Sequence, residues 1–222
     1  MNKLSKRLEV VASYINDNSK IIDIGCDHGL LSIYLAKKYN NIKIIASDVN
    51  DNALNNAINN IKLEHLDGRI ETRLGNGLDV VTPDEIDTIV IAGMGANTIV
   101  GILKYSTDKL INVESIIIQS NTDLYFLRKN VTKLGFYIED ETIVEDSNII
   151  YTVIKFGKGK KRYSYKELYL GPILMKKNDD LFKKKCNKEV KTIMMILSKI
   201  ERGHILYKLR LKRNLKILRS MR

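Results

Sequence analysis

A glycine-containing turn between a predicted strand and a predicted helix is the segment of this chain best suited to chemistry. Residues 23–29 read Asp-Ile-Gly-Cys-Asp-His-Gly, after the strand-like segment 20–22 and before the helix-like segment 30–36. A strand that breaks at glycines and restarts as a helix is typical of the nucleotide-binding corner of a Rossmann-like sheet. Gly25 and Gly29 let the backbone approach a ligand closely, and the helix start offers free N–H groups.

The charge of this turn restricts the ligand. A dinucleotide fingerprint has a glycine where this chain has Asp27, and a carboxylate there would repel a pyrophosphate. The acidic-start pattern D-x-G-x-x-x-G instead resembles motif I of the S-adenosylmethionine (AdoMet) methyltransferases. Those enzymes bind a cationic sulfonium and an amino-acid group, which acidic residues suit. On this motif alone, a strand–turn–helix without a ligand is the alternative.

Small or polar residues also follow the next predicted strands. Asp48 ends the second strand, where a carboxylate is placed to accept hydrogen bonds from both hydroxyls of a ribose. Asn76 follows the third strand, at the place where methyltransferases contact adenine, and Gly93 follows the fourth, leaving space beside a transferable methyl group. Each also fits an ordinary cap or turn, and Met94 also fits core packing. The predicted cofactor-binding residues are Asp23, Gly25, Asp27, His28, Gly29, Asp48, Val49, Asn76, Gly77, Ala92, Gly93 and Met94.

Two amide side chains after the fifth predicted strand are candidates for contact with the methyl acceptor. Gln119 and Asn121 follow that strand, where they could bind the edge of a flipped base. Capping of the next helix is the alternative for Asn121. The histidines and the two cysteines, Cys26 and Cys186, show no metal-ligand spacing, so we expect no metal.

The positive charge of the chain is concentrated in its last third. Residues 1–157 carry 16 Lys/Arg and 21 Asp/Glu, a net of −5, whereas residues 158–222 carry 21 and 5, a net of +16. This asymmetry indicates a polyanionic partner, most simply nucleic acid, although a solvated helical surface is the alternative. The predicted RNA-binding residues are Lys158, Lys160, Lys161, Arg162, Lys183, Lys184, Lys185, Arg210, Lys212 and Arg213.

Hydropathy indicates a cytoplasmic protein without membrane association. No apolar stretch reaches the roughly 18 residues that a membrane span needs. Charges at Lys3, Lys6 and Arg7 interrupt the first segment, which lacks the apolar centre of a secretory signal.

Predicted strands and helices alternate through the first part of the chain, which indicates a parallel sheet covered by helices on both faces. The predicted strands are 20–25, 42–48, 69–74, 86–92, 113–119, 137–144 and 148–156, and the predicted helices are 3–16, 30–39, 51–65, 95–106 and 123–134. The polar segment 157–162 predicts a boundary between a domain of residues 1–157 and one of 158–222. Beyond it we expect a short helix over 164–177, disturbed at Gly171-Pro172, and two helices with apolar stripes that form a helical hairpin, the first ending at Gly203.

The motifs together resemble the bacterial TrmK family of tRNA adenine-N1 methyltransferases, which modify adenine 22. The resemblance covers nearly the whole chain and is carried by residues 4–8, 23–29, 92–95, 119–121 and 170–172 with the charged tail helices. From the family pattern we expect a second glycine after Gly95, where this chain has Ala96, and a proline at position 120, where it has Ser120. Neither departure from the pattern removes a functional group.

The resemblance implies a Rossmann-like class I AdoMet-dependent methyltransferase with a seven-stranded, mostly parallel sheet and a C-terminal helical appendage that binds tRNA. It implies AdoMet as the cofactor and tRNA as the partner, and we expect a monomer. The implied catalytic residues are Asp27, Asn97, Gln119 and Asn121. The alternatives are a small-molecule methyltransferase, a non-catalytic RNA-binding protein on the same fold, and a nicotinamide-linked oxidoreductase, which Asp27 disfavours.

Overall fold

The structure is a computed structural model that describes residues 4–200 and 204–221. The beginning of the predicted helix 3–16 and the predicted stop at Gly203 lie outside the described residues. Contacts between residues divide the chain into two compact units, residues 1–162 and residues 163–222. The predicted boundary lies between residues 157 and 158, whereas the structure groups residues 158–162 with the first unit.

A seven-stranded sheet forms the centre of the first unit. Its strands are β1 Lys20–Ile24, β2 Lys43–Asp48, β3 Ile70–Leu74, β4 Thr88–Met94, β5 Ser115–Ser120, β6 Phe136–Asp146 and β7 Ile149–Lys158. They lie in the order β3-β2-β1-β4-β5-β7-β6, and β7 pairs antiparallel with both of its neighbours. The switch of strand order between β1 and β4 opens the crevice where such sheets bind ligands.

The helices that cover this sheet are α1 Lys6–Ser13, α2 Leu30–Lys38, α3 Asp51–Leu63, α4 Ala96–Tyr105 and α5 Leu124–Lys133. Their starts follow from local chemistry. Asn50 caps α3 by accepting the N–H groups of Asn52 and Ala53, and Asp123 caps α5 by accepting the N–H of Phe126. Sequence reasoning missed a 3₁₀ turn at Thr107–Leu110, which has too little apolar periodicity to detect.

The central strands are buried on both faces, as a parallel sheet between helices requires. In β4, Ile89, Val90 and Ile91 are fully buried, and Ile116–Ile118 of β5 lie beside them. The β6–β7 hairpin turns at Ser147 and Asn148, whose φ angles are +50° and +64°. Positive φ at both turn residues matches the twist of the flanking strands.

One ion pair is buried under this hairpin. Arg128 of α5 donates from Nε to Glu141 Oε1 of β6 at 2.7 Å, and both side chains are fully buried. Because neither charge has access to water, removal of one side chain would leave the other charge buried and uncompensated.

The second unit is helical, with α6 Tyr165–Leu170, α7 Pro172–Lys177, α8 Asp180–Lys199 and α9 Ile205–Arg219. The predicted helix 164–177 is two helices, because Gly171 has a φ of +99° and Pro172 starts the second. Four residues of the apolar stripe predicted for α8 are buried, namely Phe182, Cys186, Val190 and Ile193, whereas Leu197 and Ile200 are partly buried. In α9, Leu211 and Leu218 are buried together with Asn214. The Tyr165 hydroxyl donates to Asn214 Oδ1 at 2.7 Å, which gives that buried amide oxygen a partner.

Candidate functional site

The Asp23 carboxylate is the buried acidic group of the site. Asp23 lies on β1 with only 4% of its surface exposed, and Ser32 Oγ of α2 donates to Asp23 Oδ2 at 2.9 Å. Burial raises the pKa of Asp23 to about 6, the Ser32 hydrogen bond opposes that rise, and the nearby Asp48 charge adds to it. An ionised carboxylate in this position is ready for a cationic ligand, because a positive charge would relieve its desolvation.

Hydrogen bonds hold the glycine turn between β1 and α2 against the end of β2. The N–H groups of Gly25 and Cys26 both donate to the Ser47 carbonyl, at 2.8 and 3.0 Å, and the Asp27 N–H donates to Asp48 Oδ2 at 3.2 Å. Gly25 has a φ of +75°, and a Cβ there would meet Met94 Cε. The turn therefore needs glycine for its conformation and for the space above it.

Gly29 starts α2 in the left-handed region, with a φ of +68°. A Cβ on Gly29 would lie 3.2 Å from the Ala57 side chain of α3, and Asn60 of α3 donates to the His28 carbonyl at 2.9 Å. Close packing of α3 thus fixes the far end of the turn.

The ends of β2 and β3 supply an apolar surface and polar edges. Val49 is 71% exposed directly after Asp48, an unusual exposure for a side chain that follows a buried strand. The Gly75 N–H donates to the Asp48 carbonyl at 3.0 Å, which brings the exposed Asn76 next to the end of β2. Gly77 has a φ of +56°, and a Cβ there would meet Ile102 at 2.8 Å. An exposed apolar side chain beside a carboxylate and an amide suits an adenosine group.

The ends of β4 and β5 are joined by a ring of amide hydrogen bonds. The Gly93 N–H donates to Gln119 Oε1 at 3.1 Å, Gln119 Nε2 donates to Asn121 Oδ1 at 2.9 Å, and Asn121 Nδ2 donates to the Gly93 carbonyl at 2.6 Å. Gln119 is 0% exposed, so in this conformation its amide supports the neighbouring backbone rather than facing a base. Asn121 is exposed, as contact with an acceptor requires.

Three further predicted residues lie at the exposed rim. Asp27 and His28 are both exposed, and Asp27 Oδ1 lies 3.7 Å from His28 Nε2. Asn97 is exposed in the first turn of α4. Ala92 lies in β4, the strand that precedes this helix. The structure therefore brings the predicted cofactor and acceptor residues to one edge, the carboxyl edge of the sheet.

Arg7 of α1 also reaches this edge, and reasoning from the sequence did not assign it to the site. Its Nη1 donates to Gln119 Oε1, and its guanidinium carbon lies 5.5 Å from the Tyr151 ring centroid. Arg7 precedes Gln119 by 112 residues. No local pattern links them, so the only sequence signal was the place of Arg7 in the segment 4–8 that carries the family resemblance.

The predicted RNA-binding residues differ in their surroundings. Lys158 donates to the Leu110 carbonyl at 2.6 Å and lies over the Phe136 ring, so it holds the first unit together. Arg213 lies 3.5 Å from the Tyr165 ring centroid, and Arg210 lies over Tyr207. The other residues are exposed except for the partly buried Lys185; they are Lys160, Lys161, Arg162, Lys183, Lys184 and Lys212.

Metal-binding and membrane-spanning features are both absent from the described ranges, 4–200 and 204–221. These ranges contain no group of three or more His, Cys, Asp and Glu side chains arranged to hold a metal ion. No helix within them is both long and apolar enough to span a membrane.

A Rossmann-like sheet with one reversed strand, an acidic glycine turn at its carboxyl edge and a second carboxylate at the next strand end defines the class of AdoMet-dependent methyltransferases. Within that class, the family model described as tRNA (adenine(22)-N(1))-methyltransferase, TrmK, matches residues 21–219. The chain belongs to the TrmK family, which confirms the resemblance drawn from the sequence.

Individual relatives agree with this assignment. The tRNA (adenine(22)-N(1))-methyltransferase of Bacillus subtilis is 32% identical over 207 residues, which cover 90% of this chain and 87% of the relative. The crystal structure of B. subtilis TrmK, at 29% identity, covers 100% of this chain and 99% of its own with a TM-score of 0.91. The structure of M. capricolum TrmK in complex with S-adenosyl-homocysteine, at 30% identity, covers 98% of this chain and 96% of its own with a TM-score of 0.84. These likenesses confirm the predicted fold class.

Proposed function

We propose that this chain transfers the methyl group of AdoMet to N1 of adenine 22 in tRNA. The observation that carries the proposal is the match of the family model over residues 21–219, which includes the glycine turn and nearly all of the sheet. The sequence-based predictions of enzyme class and cofactor agree with that family.

The residues at the carboxyl edge fit AdoMet. The Met94 side chain lies over Gly25, so the fit to AdoMet rests on the buried Asp23 carboxylate with the Asp48 carboxylate near it, two negative charges that suit a cationic ligand. We assign Asp23 and the turn residues Gly25–Gly29 to the amino-acid part of the ligand, and Asp48 to the ribose hydroxyls. Val49, Asn76 and Gly77 would contact the adenine ring. When bound, AdoMet supplies an electrophilic methyl group on a sulfonium, for which nearby carboxylates are favourable partners.

The acceptor needs positioning more than deprotonation, because adenine N1 already carries a lone pair. The site must admit a base that has left its stack and hold it in line with the donor. We assign the side chain of Asp27, whose backbone belongs to the cofactor turn, to the exocyclic amine. There an exposed carboxylate accepts a hydrogen bond and stabilises the positive charge that develops on the ring. Asn97 lies in the first turn of α4, and Asn121 directly follows the end of β5. Their side chains would limit how the base can turn.

The basic second unit supplies the contacts to tRNA phosphates in this proposal. Residues 163–222 contain most of the basic residues that give the end of the chain its net positive charge, and helices α8 and α9 carry exposed lysines and arginines on faces away from their apolar stripes. Phosphate contacts position RNA without reading its sequence. One chain contains both the cofactor site and the basic surface, so we propose that it acts as a monomer, in the cytoplasm.

The test is methyl transfer to defined RNA. Radiolabelled AdoMet is incubated with an unmodified tRNA transcript that carries adenine at position 22, and with a matched transcript in which guanine replaces it. We expect about one methyl group on the first transcript, mapped to N1 of adenine 22 by arrest of reverse transcription, and none on the second. Equal labelling of both transcripts, or labelling of neither, would contradict the proposal.

A further inference from the structure

Arg7 is a charged side chain at the acceptor end of the site that the proposed function leaves without a role. Its backbone N–H donates to Asp146 Oδ2 at 3.2 Å, and its guanidinium faces the Tyr151 ring. Asp146 and Tyr151 belong to the two strands of the β6–β7 hairpin, so the hairpin fixes Arg7 from two directions. Arg7 Nη1 also donates to Oε1 of Gln119, one of the amides in the ring of hydrogen bonds between β4 and β5.

This hydrogen bond determines which way the Gln119 amide faces. Oε1 accepts from both Arg7 and the Gly93 N–H, while Nε2 donates to Asn121. If the amide turned over, its NH₂ group would meet two donors, and the Asn121 oxygen would meet an acceptor. A charge-assisted hydrogen bond from Arg7 makes that reversed state costly, because Gln119 is fully buried.

The orientation of Gln119 in turn holds the backbone that faces the acceptor. Asn121 donates from Nδ2 to the Gly93 carbonyl and from its backbone N–H to the Met94 carbonyl. Met94 packs over Gly25 of the cofactor turn. A displacement at residues 93–94 therefore reaches both the acceptor side and the cofactor side of the site.

We propose that Arg7 is a positioning residue for methyl transfer, which acts through Gln119 on Gly93, Met94 and Asn121. The proposal rests on the proposed function, since it assigns Arg7 to that reaction. In-line transfer is sensitive to displacements of about 1 Å. Removal of the Arg7 donor takes away one of the hydrogen bonds that fix Gln119 and, through it, the end of β4.

The kinetic test compares Arg7→Met, which keeps the stem of the side chain and removes the donor, with Lys6→Met as a matched removal of positive charge on α1. For Arg7→Met we expect kcat to fall roughly 10- to 100-fold, with the KM for AdoMet within about threefold of wild type. Arg7→Lys should recover part of the activity. Lys6→Met should keep wild-type kcat.

A double-mutant comparison separates action through Gln119 from direct contact with substrate. If Arg7 acts through Gln119, the variant that combines Arg7→Met with Gln119→Met is no less active than Gln119→Met alone. Reductions in activity that multiply would overturn the proposal.

A second readout does not depend on activity. Amide hydrogen exchange at Gly93 and Asn121 in the ligand-free chain should be faster in Arg7→Met than in Lys6→Met. Unchanged kcat in Arg7→Met, or unchanged exchange at both amides, would overturn the proposal. If Arg7→Met does not fold, Arg7→Leu, which also lacks a donor, takes its place in both measurements. A wild-type chain that methylates no tRNA would contradict the proposed function, whereas the exchange comparison would still test the role of Arg7.

Discussion

The negative charge of Asp23 suits a cationic ligand, but its burial makes that charge unfavourable for folding. Asp23 is buried, its pKa is about 6, and its charge is useful only when a cationic ligand is present. An ordinary aspartate titrates near 3.8, so the folded chain holds a proton here that the unfolded chain releases. Stability from this group is complete below the unfolded pKa and is lost as pH rises through about 6.

We predict that Asp23→Asn stabilises the chain at neutral and higher pH. The difference from wild type should approach about 3 kcal/mol near pH 8 and vanish near pH 4, since two units of pKa correspond to about 3 kcal/mol. The amide oxygen of the substituted side chain can still accept from Ser32. The measurement is urea unfolding at several pH values, with calorimetry showing weaker AdoMet binding. A stability difference that stays constant with pH would refute the assignment of a raised pKa.

The glycine turn gives a second prediction at the scale of single residues. Gly25→Ala should destabilise the chain by about 1–2 kcal/mol, because an L-residue is strained at a φ of +75° and its Cβ would displace Met94. It should also weaken AdoMet binding. Gly68→Ala is the matched control, since a Cβ there meets nothing within 4 Å. Thermal unfolding and calorimetry of both variants test this, and an equal response of the two would count against it.

At this scale the sequence predicted residue types better than contacts. Asp23, Gly25, Gly29 and Asp48 were predictable because one strand–turn–helix and the next strand end fix their places. The burial of Gln119 and the arrival of Arg7 were not predictable, because they depend on how distant segments pack.

At the scale of elements, the β6–β7 hairpin is held to α5 by the buried pair of Arg128 and Glu141. We predict that Arg128→Met destabilises the chain by about 3–5 kcal/mol, because Glu141 then stays buried without the guanidinium charge that compensates it. Combining it with Glu141→Gln should restore most of that stability, since no uncompensated charge remains. Urea unfolding of the two variants measures the difference, and a double variant as unstable as Arg128→Met would contradict the explanation.

The elements themselves followed from periodicity. All seven strands and the helices α2 to α5 lie within two residues of the predicted bounds, because runs of buried β-branched residues alternate with amphipathic segments. The 3₁₀ turn at Thr107–Leu110 and the break at Gly171 were harder, since short turns depend on local backbone angles.

At the scale of the whole molecule, the uneven charge leads to a prediction about salt. Replacing Lys184, Arg210 and Lys212 by Gln should weaken tRNA binding and reduce the slope of log affinity against log salt by about 0.7–0.9 for each phosphate that is no longer bound. AdoMet affinity should not change. The matched control replaces Lys62, Lys104 and Lys133 of the first unit, which carry the same charge on the helices α3, α4 and α5.

Binding measured by filter retention over a series of salt concentrations tests this prediction. An equal drop in tRNA affinity in the control variant would show that total charge, rather than the second unit, governs binding. The charge difference was readable from composition, whereas the packing of Asn214 against Tyr165 within the apolar stripe of α9 was not, because a buried amide needs a partner that no periodicity identifies.

The place of β7 between β5 and β6 has a consequence for synthesis on the ribosome. The strand that completes the sheet ends at Lys158, immediately before the basic helices begin. A nascent chain that has emerged only as far as β5 presents an unpaired edge of isoleucines, a surface prone to aggregation. Emergence of one further hairpin covers that edge, so the sheet can be complete before the basic helices leave the exit tunnel.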